Sequence, residues 1–116
     1  MKRGFRLKSS TDFRRVRRLG KSFAHPLLVL IILPNDLSIV RVGISASHAV
    51  GNAVQRNWIK RRIRASIDQL FSSVNIGYDL VFVARRPILN SDFSEINMAM
   101  ENLLRRAGLL GDIDGR

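Results

Sequence analysis

One segment of this chain carries side chains that could bind a polyanion. Between Arg56 and Arg64 there are five cationic residues and no acidic one. Guanidinium groups can bond phosphate oxygens through two parallel hydrogen bonds, and lysine supplies a compact positive charge. The segment therefore predicts a surface that binds phosphate groups.

The spacing of this segment places its polar groups together on a helix. At about 100° per residue, one arc holds Arg56, Asn57, Lys60, Arg61 and Arg64, which we call the basic arc. Beside it runs an apolar stripe of Ile59, Ile63, Ile67 and Leu70, whereas Trp58 and Arg62 fall on the far side. This pattern predicts the main helix over 53–71, beginning up to three residues earlier. Taken alone, the helix could also present an ordinary solvated face, or bind an acidic membrane or a partner protein.

Charge is distributed unevenly along the chain. The net charge is +11, and residues 1–64 hold fifteen basic and two acidic side chains, whereas residues 65–116 hold five and seven. A folded core does not need this imbalance, but a polyanionic partner does. We therefore expect a nucleic-acid-binding surface in the first half and a scaffold in the second.

Several classes of chemistry lack the residues they need. Hydrolysis by protein-bound metal ions needs clustered carboxylates, and the basic half has only Asp12 and Asp36. The chain has no cysteine, so disulfides, cysteine-based zinc sites and thiol chemistry are excluded. Its longest apolar run, Leu27 to Leu33, is too short for a bilayer, which needs about 20 residues. We expect a cytoplasmic protein with no membrane association and no obligate protein partner.

The remaining elements are predicted from periodicity and turn residues. Ser9 to Asp12 and Gly20 bound a short first helix that carries Phe13 and Val16. Strands are expected at 23–33 and 37–45, paired as an antiparallel hairpin, and at 78–84. A further short strand is possible near 45–49. Ser91 and Asp92 introduce a last helix, which ends at Gly108.

The predicted element order is α-β-β-(β)-α-β-α. It favours a single α+β domain over 1–116, built as a two-layer sandwich in which helices cover one sheet. We expect a basic N-terminal tail over about 1–8 and a frayed C-terminal tail over about 109–116.

Three segments together resemble the ribonuclease P protein family. The central one runs Val50-Gly51-Asn52-Ala53-Val54-Gln55-Arg56-Asn57, followed by Lys60-Arg61 and Arg64. The second runs from Arg6-Leu7 through Asp12-Phe13 to Gly20-Lys21-Ser22-Phe23, and the third is Gly77 to Arg85. They occur in the family's order and spacing and cover about residues 6–106.

The chain departs from the family pattern at a few positions. Trp58 stands where the family usually has the second arginine of an Arg-Asn-Arg triplet, and His48-Ala49 stand where it favours two lysines. Two positions that are aromatic in some members align with Arg17 and Ile31. Fewer aromatic groups weaken the expectation of base stacking in a substrate cleft.

The resemblance implies a fold and a function. It implies a ribosomal protein S5 domain 2-like fold with a left-handed β-α-β crossover. It also implies the protein subunit of ribonuclease P, which binds a catalytic RNA and the 5′ leader of precursor tRNA and promotes removal of that leader. The RNA is expected to carry the hydrolysis with Mg²⁺, so the protein is expected to contain no catalytic residue and no metal or cofactor site of its own.

The resemblance also implies roles for individual residues. Contacts with the catalytic RNA are expected from the basic arc and also from Asn52 and His48. Contacts with the leader are expected from Phe13, Arg17 and Ile31, although Phe13 could equally be a core residue that pins the first helix. The alternative interpretation is a structural protein that binds ribosomal RNA, which would share the size, charge and fold class.

Overall fold

The computed structural model describes residues 5–110. Three α-helices, α1 (Ser10–Leu19), α2 (Ala53–Leu70) and α3 (Phe93–Arg106), accompany four strands, β1 (Lys21–Ala24), β2 (Leu28–Pro34), β3 (Val40–Ser45) and β4 (Tyr78–Ala84). Short 3-10 helices follow α2 (Phe71–Ser73) and β4 (Arg86–Asn90). The predicted α+β class is confirmed.

The four strands form one mixed sheet in the order β1-β2-β4-β3. β1 pairs with β2 and β2 with β4 in antiparallel fashion, whereas β3 runs parallel to β4. Because α2 joins β3 to its parallel neighbour β4, these elements form a β-α-β unit. The predicted hairpin between 23–33 and 37–45 is therefore wrong, since β4 lies between β2 and β3 in the sheet. The apolar run Leu80 to Ala84 is typical of a central strand, in which all residues but Val83 are buried here.

The predicted strand over 23–33 is two strands in the structure. Pro26 interrupts it, and the Nδ1 atom of His25 accepts a hydrogen bond from the Leu27 backbone N–H at 3.1 Å. The chain turns there, and β1 folds back onto β2. The possible strand near 45–49 is absent, because a turn forms there in which the Val50 N–H donates to the Ser47 carbonyl. The additional strand of the sheet is instead β1, which comes from the first part of the segment predicted as one strand.

Two apolar clusters lie on opposite faces of the sheet. The larger one packs α2 and α3 against alternate residues of β2, β3 and β4, with Leu30 and Phe82 fully buried near its centre. The smaller one joins Val16 of α1 to Ile31 and Val81 on the other face. The predicted sandwich is therefore formed by the sheet with α2 and α3 on one of its faces. The third helix, α1, covers part of the opposite face.

Parts of both predicted tails pack against the fold. Leu7 is buried, and its N–H donates to the Val42 carbonyl at 2.9 Å beside the edge of β3. Leu109 belongs to the larger cluster, and its carbonyl accepts from the Asn75 N–H. These residues are therefore part of the core. The rest of the predicted tails, 1–4 and 111–116, lies outside the described residues.

Candidate nucleic-acid interface

The core fixes α2 along its apolar stripe. Ile59, Ile63 and Ile67 have no exposed surface, and the Ser66 hydroxyl donates to the Asn97 side chain of α3 at 2.6 Å. The adjoining side of the helix carries the basic arc, in which Asn57 and Arg61 are exposed and Arg56, Lys60 and Arg64 are partly exposed. The predicted burial of Ile59, Ile63 and Ile67 beside the basic arc is confirmed, whereas Leu70 at the end of the stripe is only partly buried.

The start of α2 is held by a capping box, as expected for a helix with Asn at its N-cap. The Asn52 side-chain oxygen accepts from the Gln55 N–H, and the Gln55 side chain accepts from the Asn52 N–H, each at 2.9 Å. Gly51 permits this arrangement, because a Cβ atom there would lie 2.3 Å from Gln55 Oε1. The side-chain oxygen of Asn52 is therefore occupied in capping the helix, whereas its side-chain Nδ2 can donate to a ligand.

Arg56 ties the helix to the loop before it. Its Nη1 donates to the Gly51 carbonyl at 2.9 Å and lies 3.1 Å from Nδ1 of His48. Because a guanidinium can only donate, His48 Nδ1 is the acceptor in this contact. The pair orders the approach to α2, so one guanidinium edge of Arg56 is occupied within the protein.

The cations of the basic arc are not neutralised by the described part of the chain. Within residues 5–110, the ion pairs involve only Arg15 and Arg41 with Asp12 and Asp79. The Nε atom of Arg64 is shielded from solvent and has no hydrogen-bond partner among these residues. The helix therefore presents a concentrated positive charge in a fixed position.

A second surface lies on the sheet face that carries α1. Side chains on this face form rows across the strands. One row, Gly43, Val81 and Ile31, is buried beneath α1. The next row is Ser45, Val83, Val29 and Ala24, which we call the open row. Its four residues are exposed or partly exposed, so it forms a largely apolar floor beside α1.

The three residues expected at a leader site have different environments. Phe13 is partly buried in the smaller cluster, and a Cβ atom on Gly43 would lie 2.6 Å from its ring. Arg17 is exposed and, at helical spacing, lies on the flank of α1 opposite Arg15. Because Arg15 reaches Asp79 on β4, we infer that Arg17 is directed to the side of the open row. Ile31 is only 6% exposed beneath α1, so it offers almost no surface to a leader. Val29, two residues earlier on the same face, is accessible instead.

The other flank of α1 is anchored by a buried carboxylate. Asp79 accepts two hydrogen bonds from Arg41, one from Arg15 and one from Asn35, all between 2.7 and 2.8 Å. Burial alone raises the pKa of this carboxyl, but the hydrogen bonds from Arg41, Arg15 and Asn35 outweigh it, so the pKa lies below its ordinary value. The network fixes α1, and with it Phe13 and Arg17, on the sheet.

Comparison with known proteins identifies the family. The family described as Ribonuclease P matches residues 1–108. The ribonuclease P protein component of Clostridium kluyveri is 42% identical over 107 residues, which cover 90% of this chain and 96% of that protein. That of Herpetosiphon aurantiacus is 38% identical over 97% of this chain and 91% of its own length. The chain belongs to the ribonuclease P protein family.

Solved structures of ribonuclease P proteins share the fold. The Staphylococcus aureus protein superposes with a TM-score of 0.85 at 32% identity, covering 92% of this chain and 98% of that one. The Thermotoga maritima protein gives 0.80 at 28% identity over 87% and 96%. The chain is thus a component of the endoribonuclease that processes tRNA 5′ leaders, and no comparison supports the ribosomal alternative.

The strand register brings together residues that the sequence did not single out. Val29, Val83 and Ser45 of the open row lacked a distinguishing pattern, because two of them are ordinary strand valines. Asp79 carried a signal, since an acid inside an apolar strand is seldom buried without a partner.

Among the described residues, no group of three or more His, Cys, Asp or Glu side chains could hold a metal ion. None of the helices between residues 5 and 110 has the length and apolar character of a bilayer span.

Proposed function

We propose that this chain serves the cytoplasmic ribonuclease P through two separate surfaces. The basic arc of α2, with Asn52 and His48 at its start, binds the catalytic RNA. The open row, with Phe13 and Arg17 of α1, binds the 5′ leader of precursor tRNA. The observation that carries the proposal is the basic arc: five polar side chains held on one side of a helix by three fully buried isoleucines.

The arc suits a structured RNA because the helix that carries it is fixed on the core before binding. A backbone that is already ordered adds no ordering cost of its own when the cations contact phosphates. Arg61 and Arg64 supply guanidinium groups, which match phosphate oxygens in geometry, and Asn57 supplies an amide for a sugar hydroxyl or a base edge. Each phosphate contact also releases counterions from the RNA.

The open row suits a single strand. Val29 and Val83 offer an apolar floor for unpaired bases, Ser45 adds a hydroxyl, and Arg17 places a cation at the border for the backbone. Without an aromatic side chain in the row, contacts with the bases are of van der Waals type and tolerate many sequences. The leader would therefore bind with little sequence preference.

The division of labour leaves the bond chemistry to the RNA. We expect Mg²⁺ to be required in the RNA–protein complex, where the protein tightens substrate and metal binding by reducing repulsion between the two RNAs. The positive charge of the first half of the chain supports this role.

The test is a reconstituted cleavage assay at low Mg²⁺. Precursor tRNA is incubated with a bacterial ribonuclease P RNA, with the protein, and with both. We expect 5′ cleavage with both, little with the RNA alone and none with the protein alone. Arg64→Ala should weaken stimulation, whereas Arg105→Ala, an exposed arginine on α3, should not. Cleavage by the purified protein without RNA, or equal loss in both variants, contradicts the proposal.

The leader surface is tested by leader length. Val83→Glu and Arg17→Ala should weaken binding of a precursor with a long leader by about tenfold, as expected for one or two lost contacts, and leave a precursor with a one-nucleotide leader unaffected. Equal weakening of both substrates would show that these residues act elsewhere.

A further inference from the structure

One feature of α2 lies outside the basic arc. Trp58 and Arg62, one turn apart, stack on each other, with the Arg62 guanidinium carbon 4.0 Å from the centroid of the indole ring. Trp58 nevertheless keeps 38% of its surface exposed, and Val54, one turn before it, is 78% exposed. Val54 and Trp58, one turn apart, together form a small exposed apolar patch beside the basic arc. Contiguous apolar patches, unlike single apolar side chains, mark contact sites.

The surroundings of this pair are strongly cationic. Trp58 is flanked at helical spacing by Arg61 of the basic arc and by Arg62, and α2 has no acid before Asp68. Within residues 5–110 the Arg62 guanidinium has no carboxylate partner, and its Nε is shielded from solvent without a hydrogen bond. A second copy of this basic chain would be repelled here by like charge, and an apolar protein segment would bury the Arg62 charge without a partner. The phosphates of RNA would instead be attracted.

We propose that Trp58, held in place by Arg62, is a stacking platform for one unpaired nucleobase of the catalytic RNA. This inference rests on the function proposed above and names a contact at its edge. Aromatic side chains stack on unpaired bases with little sequence preference. A guanidinium stacked on the indole restricts the rotamers of the Trp58 side chain. Less side-chain entropy is then lost when a base covers the exposed part of the ring.

The position selects the catalytic RNA over precursor tRNA as the source of the base. α2 packs on the sheet face opposite to α1, so Trp58 and the open row lie on different faces of the sheet. Trp58 and Arg61 are instead neighbours on one helix. An RNA that contacts Arg61 through its backbone therefore needs only one base turned outward to reach the indole.

The test uses the fact that Trp58 is the only tryptophan of the chain. Fluorescence of the full-length protein is titrated with ribonuclease P RNA and, separately, with precursor tRNA. Stacking of a base should quench most of the emission with the ribonuclease P RNA and change it little with precursor tRNA. Strong quenching by precursor tRNA alone overturns the assignment to the catalytic RNA.

Variants separate stacking from charge. Trp58→Leu should lower affinity for the ribonuclease P RNA about tenfold, without changing the slope of log affinity against log salt, because no phosphate contact is lost. Trp58→Phe should recover most of this loss. Met98→Ala, which removes an exposed apolar side chain from α3, is the control and should bind like the unaltered protein.

The result that overturns the inference leaves the proposed function standing. It is tight, salt-dependent binding of the RNA, weakened by Arg61→Ala, with unchanged emission and with Trp58→Leu binding normally. A response of the emission only to vesicles of anionic phospholipid would likewise overturn it, by assigning the platform to a membrane surface. Failure of the protein to bind the RNA at all would count against the proposed function itself.

Discussion

Arg15 of α1 donates a hydrogen bond of 2.8 Å to the buried carboxylate of Asp79 on β4. The two residues lie 64 positions apart, and Arg41 of β3 holds the same carboxylate through two further bonds. The carboxylate thus joins the first helix to both parallel strands. Since α1 forms one border of the open row, the geometry of the proposed leader surface depends on the ion pair between Arg15 and Asp79, on the flank of α1 that faces away from the open row.

Replacing this carboxylate should destabilise the fold. Asp79→Asn leaves Arg41 without a counter-charge and leaves Arg15 with only Asp12, at 3.3 Å. Loss of one partner from a buried pair is costly because the other charges stay in place. We expect a loss of about 3 kcal/mol, towards the lower end for such pairs since both guanidinium groups reach solvent. Urea unfolding followed by circular dichroism measures it. Asp36→Asn, an exposed acid in a turn, is the control and should change stability little.

The same carboxylate predicts how stability responds to acid. The pKa of Asp79 is lower in the folded than in the unfolded chain, so on acidification the unfolded chain binds the proton first. The stabilisation that ionised Asp79 gives to the fold is therefore complete above about pH 5. It is lost as the pH falls below about 4, the ordinary pKa of an aspartate, towards the lower pKa of the folded state. Unfolding free energies measured between pH 3 and 6 should fall on the acid side. The decline should be shallower in Asp79→Asn, and an equal decline in both proteins would contradict this assignment.

Local periodicity predicted α2 and the side of it that is buried, because Ile59, Ile63 and Ile67 recur at helical spacing. Strand pairing was not predictable in this way. Nothing local in Val40 to Ser45 shows that it pairs with a strand 38 residues later rather than with the preceding one. The same limit applies to the site. Arg56 has the same sequence pattern as its neighbours in the arc, and only the structure shows its bonds to Gly51 and His48. The resemblance places Ile31 at the leader site, and only the structure shows that α1 covers it.

Gly43 offers a test of how closely α1 must approach the sheet. A Cβ atom at this position would lie 2.6 Å from the Phe13 ring, closer than packed atoms allow, so Gly43→Ala should displace the ring or the helix. We expect a loss of about 1–3 kcal/mol, typical of overpacking, together with weaker binding of long leaders. Thermal unfolding and leader-binding titrations measure the two effects. The double variant Gly43→Ala with Phe13→Leu should recover part of the stability; no recovery would place the clash elsewhere.

Asn52 allows helix stability and RNA affinity to be changed separately. Asn52→Asp keeps an oxygen that caps α2 and adds a negative charge that favours a helix N-terminus, so stability should be unchanged or slightly higher. The same charge should repel RNA phosphates and weaken binding. Asn52→Ala should instead lower stability by about 1 kcal/mol through loss of the cap. Melting curves and RNA titrations on both variants check this. Normal RNA affinity in Asn52→Asp would place the RNA away from the start of α2.

The salt dependence of RNA binding tests whether Arg61 and Arg64 contact phosphates. Each phosphate contact releases about 0.7–0.9 counterions, so a variant that loses one contact should have a shallower slope of log affinity against log salt by that amount. Arg61→Ala and Arg64→Ala should each show this change, and the double variant should show the sum. Arg86→Ala, an exposed arginine in the 3-10 helix after β4, is the matched control and should keep the full slope. An affinity loss in Arg64→Ala with an unaltered slope would mean that Arg64 acts through a base or sugar contact, or through packing of its aliphatic stem, instead of through a phosphate.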